Sequence, residues 1–273
     1  MKNPLIKILF PAVIIFISIA VFTGTGWLLP FWAGCLLAAA LIFRGWDVLH
    51  AALLLFMLAL EIHLPPFFGL PTVKSLFPLL ASTLLVLPFP RRKEALSWIR
   101  AGRLGKNSVL IVIVVAAVSA AALVLWANLV TGHHAAAGRL PAAGLEAARQ
   151  SLRRLPLWSV FVFGVPAFAL VNALAEEGIY RGVLQEALGR VFGGETFGAK
   201  TFVLLLQASA FAAAHYLGGF PNGADGYAMA LLYGLVLGYL RDRTGGMLAP
   251  CLAHFAADLA SAMSSSFMPR MLR

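Results

Sequence analysis

Charge is scarce in this chain. Only 12% of its 273 residues are Asp, Glu, Lys or Arg, about half the roughly 25% found in soluble domains. Together with 61% hydrophobic residues and a mean hydropathy of +0.88, that scarcity excludes a water-soluble globule. Acid is rarer still than base: 11 Asp+Glu stand against 21 Lys+Arg, a formal charge of +10. Cysteine is almost missing. Cys35 and Cys251 lie in apolar surroundings with no CxxC pair and no metal-ligand spacing, so they read as buried thiols acting as small hydrophobes. No internal repeat is visible, which removes the usual support for transport by inverted repeats.

What the sequence does have is apolar runs, recurring over almost its whole length. Candidate spans fall at about 8–22, 27–43, 48–62, 72–89, 108–130, 157–175, 201–217, 227–240 and 247–265. They read as helices, because an isolated strand leaves its backbone unpaired in lipid and the segments lack the in-out alternation of a membrane barrel. The expected fold is all-α, a polytopic membrane protein with about eight or nine transmembrane helices. Residues 1–156 form an N-terminal helical part of unassigned role, and 157–265 form a second part beyond the 132–156 connection.

The basic residues cluster between apolar segments, notably Arg91, Arg92, Lys93, Arg100, Arg103 and Lys106. That placement points to anionic headgroups of a lipid bilayer rather than to nucleic acid. Lys2 and Lys7 precede the first run like a secretory signal, but no small-x-small cleavage site follows, so a retained first span is expected. With the N-terminus cytoplasmic, Arg44, the 91–106 stretch, Arg190 and Arg241–Arg243 all fall on the cytoplasmic side. The expected location is the bacterial inner membrane. Arg139, Arg149, Arg153 and Arg154 resist this scheme, and an interfacial amphipathic helix over 145–155 accounts for them.

Ionisable residues inside spans are costly and therefore functional candidates. Asn172, Glu176, Glu177, Tyr180 and Arg181 form one group at the membrane end of a span. Glu177 and Arg181 share a helical face and can pair, while Glu176 points elsewhere, along the row of Asn172 and Tyr180. Gln207, Phe211 and His215 form a second row among small alanines, and His254 and Asp258 a third pair. Gly234 and Gly238 read as a helix-packing signal. Each group has a bland reading as packing or surface charge. Together they supply a carboxylate, two imidazoles and a second acid on separate helices. Such a set suits hydrolysis, with an acid and an imidazole activating water and the remaining pair holding an oxyanion.

The spacings Glu176-Glu177-x-x-x-Arg181, Phe211-x-x-x-His215 and His254-x-x-x-Asp258 resemble, in order, those of the CPBP intramembrane proteases. That family includes the CaaX prenyl endopeptidases and bacteriocin-processing, Abi-like proteins. The resemblance covers roughly 157–262 and implies a glutamic-type endopeptidase acting on a membrane-anchored protein or peptide, without a cofactor. It gives Glu176 and His215 the activation of water, His254 and Asp258 the oxyanion site, and Glu177, Arg181 and Phe211 supporting roles. Asp258 departs from the asparagine typical of the prenyl-processing branch. An ionised aspartate cannot donate to an oxyanion, so either it is protonated or it orients His254 as a donating imidazolium.

Several alternatives stay open on sequence alone. Glu176, His215, His254 and Asp258 are acceptable zinc ligands, although no HExxH occurs. Cys251 and His254 suggest a cysteine peptidase. A non-catalytic immunity or binding protein of the same fold, or a proton-coupled transporter, also uses such residues. A prenylated CaaX tail, a sorting tail and a leader peptide are equally compatible substrates.

Overall fold

The computed structural model describes residues 4–61, 71–90, 93, 96–134, 160–193, 196–217 and 223–263. Among them the chain is helical, with no strand. The order is α1 (Pro4–Thr23), α2 (Leu29–Ile42), α3 (Trp46–Glu61), α4 (Pro71–Val86) and α5 (Lys106–His134). There follow α6 (Val165–Glu177), a π-helical segment (Gly178–Gln185), α7 (Glu186–Phe192), α8 (Phe197–Leu217), α9 (Gly223–Thr244) and α10 (Leu248–Met263). Among the described residues, three stretches are long and apolar enough to cross a membrane unaided: Lys106–Trp126, Val162–Phe192 and Phe197–Tyr216. Pro4–Ala20, Gly26–Ile42, Leu76–Val86 and Leu248–Met263 are shorter apolar helices. The chain is an integral membrane protein, and its surface reflects this. In α5, Leu110 and Val118 are each 63% exposed, as side chains facing acyl tails rather than water are expected to be.

One core runs through both halves of the sequence. Ile6, Phe10 and Ile14 of α1, Leu36 of α2, Leu54 of α3 and Leu79 of α4 are buried in the same cluster as Val183, Leu188 and Leu206. A smaller cluster joins Val112 of α5 to Leu237, Leu240 and Ala253 on α9 and α10. Helix α8 packs along α9 and α1, and α10 lies between α5 and α6.

The basic segments meet at one end of the bundle. The Arg103 N–H donates to Thr244 O (2.8 Å), and the N–H groups of Met247 and Leu248 donate to Arg100 O (2.7 Å) and Ala101 O (3.0 Å). Arg190 reaches Asp47 O at the start of α3, and Arg241 pairs with Glu186. The 145–155 helix expected from the sequence lies outside the described residues.

One expectation needs correction. The span placed at 157–175 does not end at the two glutamates. The helical rod runs on through them to Phe192, so Glu176 and Glu177 sit midway along it. Charged residues ordinarily mark the end of a span. Here Glu177 and Arg181, both 0% exposed, neutralise one another inside the protein.

Candidate active site

The site is assembled around Glu177. The π-helical segment that follows it has wider turns than an α-helix, closed by i→i+5 bonds, a local feature common at functional sites. In a pure α-helix, residues four apart drift round the axis by about 40° per step. The wider turn counters that drift, and Glu177, Arg181 and Gln185 are all buried to 1% exposure or less. Arg181 Nη1 donates to Glu177 Oε1 at 2.9 Å, and its guanidinium lies 4.3 Å over the Phe211 ring. Gln185 Nε2 donates to Gly238 O (3.1 Å) and to Asp242 Oδ1 (2.8 Å).

Helix α10 brings His254 to the same carboxylate. His254 Nδ1 donates to Glu177 Oε1 at 2.7 Å. Its Nε2 stands 3.7 Å from Glu176 Oε2 and 3.6 Å from Asp258 Oδ1, so three carboxylates surround one imidazole. Asp258 does more than face His254, because its Oδ2 accepts a hydrogen bond of 2.9 Å from Asn172 Nδ2. Glu176 Oε2 is buried and has no hydrogen-bond partner among the described residues, although the side chain as a whole is 22% exposed.

Helix α8 supplies the third wall. Gly234 makes that wall possible, since a Cβ there would press on Ala208 at 3.0 Å and Phe211 at 3.3 Å. Gln207 Nε2 locks the contact by donating to Gly234 O at 2.8 Å. The Phe211 ring then touches His215 on one side (4.5 Å between centroids) and faces His254 on the other (6.2 Å). His215 Nδ1 donates to Phe211 O at 3.1 Å; a neutral ring in that tautomer carries its lone pair on Nε2. His215 is half-buried.

The structure thus brings Glu176, Glu177, Arg181, Phe211, His254 and Asp258 together, with His215 at the edge. Residues 157–260 match the family described as type II CAAX prenyl endopeptidase, Rce1-like. This stretch is an Rce1-like domain. The resemblance carried by the three spacings is therefore shown for it, and the Rce1-like family is a family of membrane proteases. Comparison with curated proteins and with solved structures gives no match.

Sequence reasoning missed two polar contributors to the Rce1-like site. Tyr233 presents its ring edge-on to His254 at 5.5 Å, with its hydroxyl buried and without a hydrogen-bond partner among the described residues. Its place beside Gly234 was the available signal, since a close-packing glycine fixes the direction of its neighbours. In the sequence Asn172 reads only as a row-mate of Glu176, and its bond to Asp258 crosses between helices. No hydrogen bond joins Cys251 to His254 among the described residues, and Cys251 is a free thiol. Among the same residues no group of three His, Cys, Asp or Glu side chains is placed to hold a metal ion.

Proposed function

We propose that the protein is an intramembrane endopeptidase of glutamic type, N-terminus cytoplasmic in a bacterial inner membrane, that hydrolyses a peptide bond of a membrane-anchored protein or peptide without a metal. The observation that carries this reading is Glu176 Oε2, buried and without a hydrogen bond among the described residues, 3.7 Å from the Nε2 of a histidine already fixed by Glu177. A carboxylate oxygen that no protein donor occupies is free to accept the proton of a water held beside it. Glu176, with His215 Nε2 as second acceptor, orients a water against the scissile carbonyl carbon. Glu176 takes its proton as the new C–O bond forms and the carbonyl electrons move onto oxygen.

The oxyanion is held by His254 Nε2–H and by the Tyr233 hydroxyl, which is buried and has no hydrogen-bond partner among the described residues. Asp258, itself held by Asn172, supports His254 from 3.6 Å and orients the donor instead of being one. Collapse restores the carbonyl and breaks the C–N bond, and Glu176 returns its proton to the departing nitrogen. Glu177 and Arg181 position His254 and Phe211.

The test is hydrolysis of a panel of anchored C-terminal peptides by purified wild type and Glu176→Gln, with and without chelator. Loss of about 10²-fold or more in the variant is expected for a missing general base, with no effect of chelator on the wild type. Equal hydrolysis by the variant rejects the base. Loss on chelation that zinc restores rejects the metal-free route.

A further inference from the structure

Three helices agree on the direction from which the site is reached. On α10, buried His254 (3% exposed) is followed by Asp258, whose side chain is 19% exposed. On α8, buried Phe211 is followed by half-buried His215. On α6, which runs the opposite way, half-buried Asn172 and Glu176 precede fully buried Glu177. In each helix the partly exposed group lies away from the end where Arg103, Arg190 and Arg241 gather, and the buried one lies toward it.

That basic end is closed. Below Glu177 and Arg181, Gln185 spans to Gly238 O and Asp242. Beyond it come the Arg241–Glu186 and Arg190–Glu186 pairs. A cavity of about 330 Å³ does open among Arg190, Lys200 and Arg241, but Gln185 and Asp242 form part of its wall and no residue of the catalytic group lines it.

Among the described residues, ten Lys+Arg belong to the helix ends and turns at the closed end: Lys7, Arg44, Lys93, Arg100, Arg103, Lys106, Arg190, Lys200, Arg241 and Arg243. Among the same residues only Lys74 belongs to the other end, and Arg181 is intramembrane. Such a bias marks the closed end as cytoplasmic.

We infer that the site opens to the non-cytoplasmic face, and that its substrate is a peptide segment on that face, in an exported protein still anchored in the bilayer. This inference rests on the endopeptidase reading. A cytoplasmic tail, including one carrying a freshly attached prenyl group, meets the sealed side. The reaction that supplies the substrate is therefore translocation across the membrane, and cleavage releases or re-anchors a polypeptide already outside.

The experiment uses the full chain with Cys35 and Cys251 replaced by alanine and a single cysteine at Tyr216→Cys or at Arg243→Cys. Intact spheroplasts are exposed to a membrane-impermeant maleimide. Labelling at 216 in intact cells, and at 243 only after permeabilisation, is expected; the reverse pattern overturns the inference. In parallel, wild type in sealed right-side-out and inverted vesicles is given the anchored peptide panel from outside. Cleavage in right-side-out vesicles, and its loss in inverted ones, is expected. Cleavage in inverted vesicles alone overturns the inference while leaving the endopeptidase reading intact. Absence of any hydrolysis by wild type in detergent overturns both.

Discussion

Adjacent glutamates in this protein have opposite surroundings, and substitution should separate them. Glu177 holds both Arg181 and His254 at full burial. Glu177→Gln strips the compensating charge from Arg181, and breaking a buried pair from one side costs about 3–5 kcal/mol. A clear drop in thermal melting temperature in detergent is the expected reading. Glu176 makes no hydrogen bond among the described residues and meets His254 only at 3.7 Å, so Glu176→Gln should cost about 1 kcal/mol, the ordinary cost of a point substitution, well below Glu177→Gln, while losing hydrolysis. Tyr233→Phe keeps the ring against His254 and removes only the hydroxyl. Steady-state kinetics should show kcat falling about 10²-fold, the usual effect of removing one oxyanion donor, with KM little changed. An unchanged kcat assigns the hydroxyl to packing alone. The four-residue spacings made Glu177–Arg181 and Phe211–His215 legible beforehand, because both are contacts within one helix. The Glu177–His254 and Asn172–Asp258 bonds join segments 77 and 86 residues apart, and no local period encodes which distant helix will arrive opposite.

At the scale of elements, the apolar runs located the helices well, since in lipid a long apolar segment has few other ways to satisfy its backbone. The π-helical segment was not legible, because its wider turn depends on what packs beside it. Trp98 is that neighbour. A Cβ on Gly182 would come within 2.8 Å of Trp98 Cα, and one on Gly178 within 3.3 Å of the indole. Ser97 Oγ also donates to Gly182 O at 3.4 Å. Trp98 is held in turn from the first half of the chain: its Nε1 donates to Thr83 Oγ1, and Thr83 meets His50 Nε2 between α3 and α4. Gly182→Ala therefore forces the Ser97–Ile99 turn to move. The expected cost is about 1–3 kcal/mol of overpacking, read as a lowered melting temperature accompanied by reduced hydrolysis. Gly189→Ala is the matched control, because nothing lies within 4 Å of a Cβ there and alanine favours a helix over glycine by about 1 kcal/mol. Its melting temperature should hold or rise.

At the scale of the molecule, the three spacings mark only the second half of the sequence, yet the core does not respect that boundary. Leu79 lies against Gly178, α1 packs along α8, and Ile6 through Ala210 belong to one buried cluster. The first half gave no functional signal in sequence because its contribution is shape, and apolar packing partners carry no distinctive residue pattern. Helices α1, α3 and α4 form the wall against which the π-helical segment and α7 are pressed, so the Rce1-like stretch lacks a complete core of its own. Residues 157–273 expressed alone should fail to give a monodisperse, hydrolytically active protein in detergent. Co-expression of 1–156 and 157–273 as separate chains should restore both properties, since the break lies outside the described helices and leaves the shared cluster intact. Recovery of full activity by 157–273 alone would show that the first half is dispensable to the site, and would move the search for its role to the substrate.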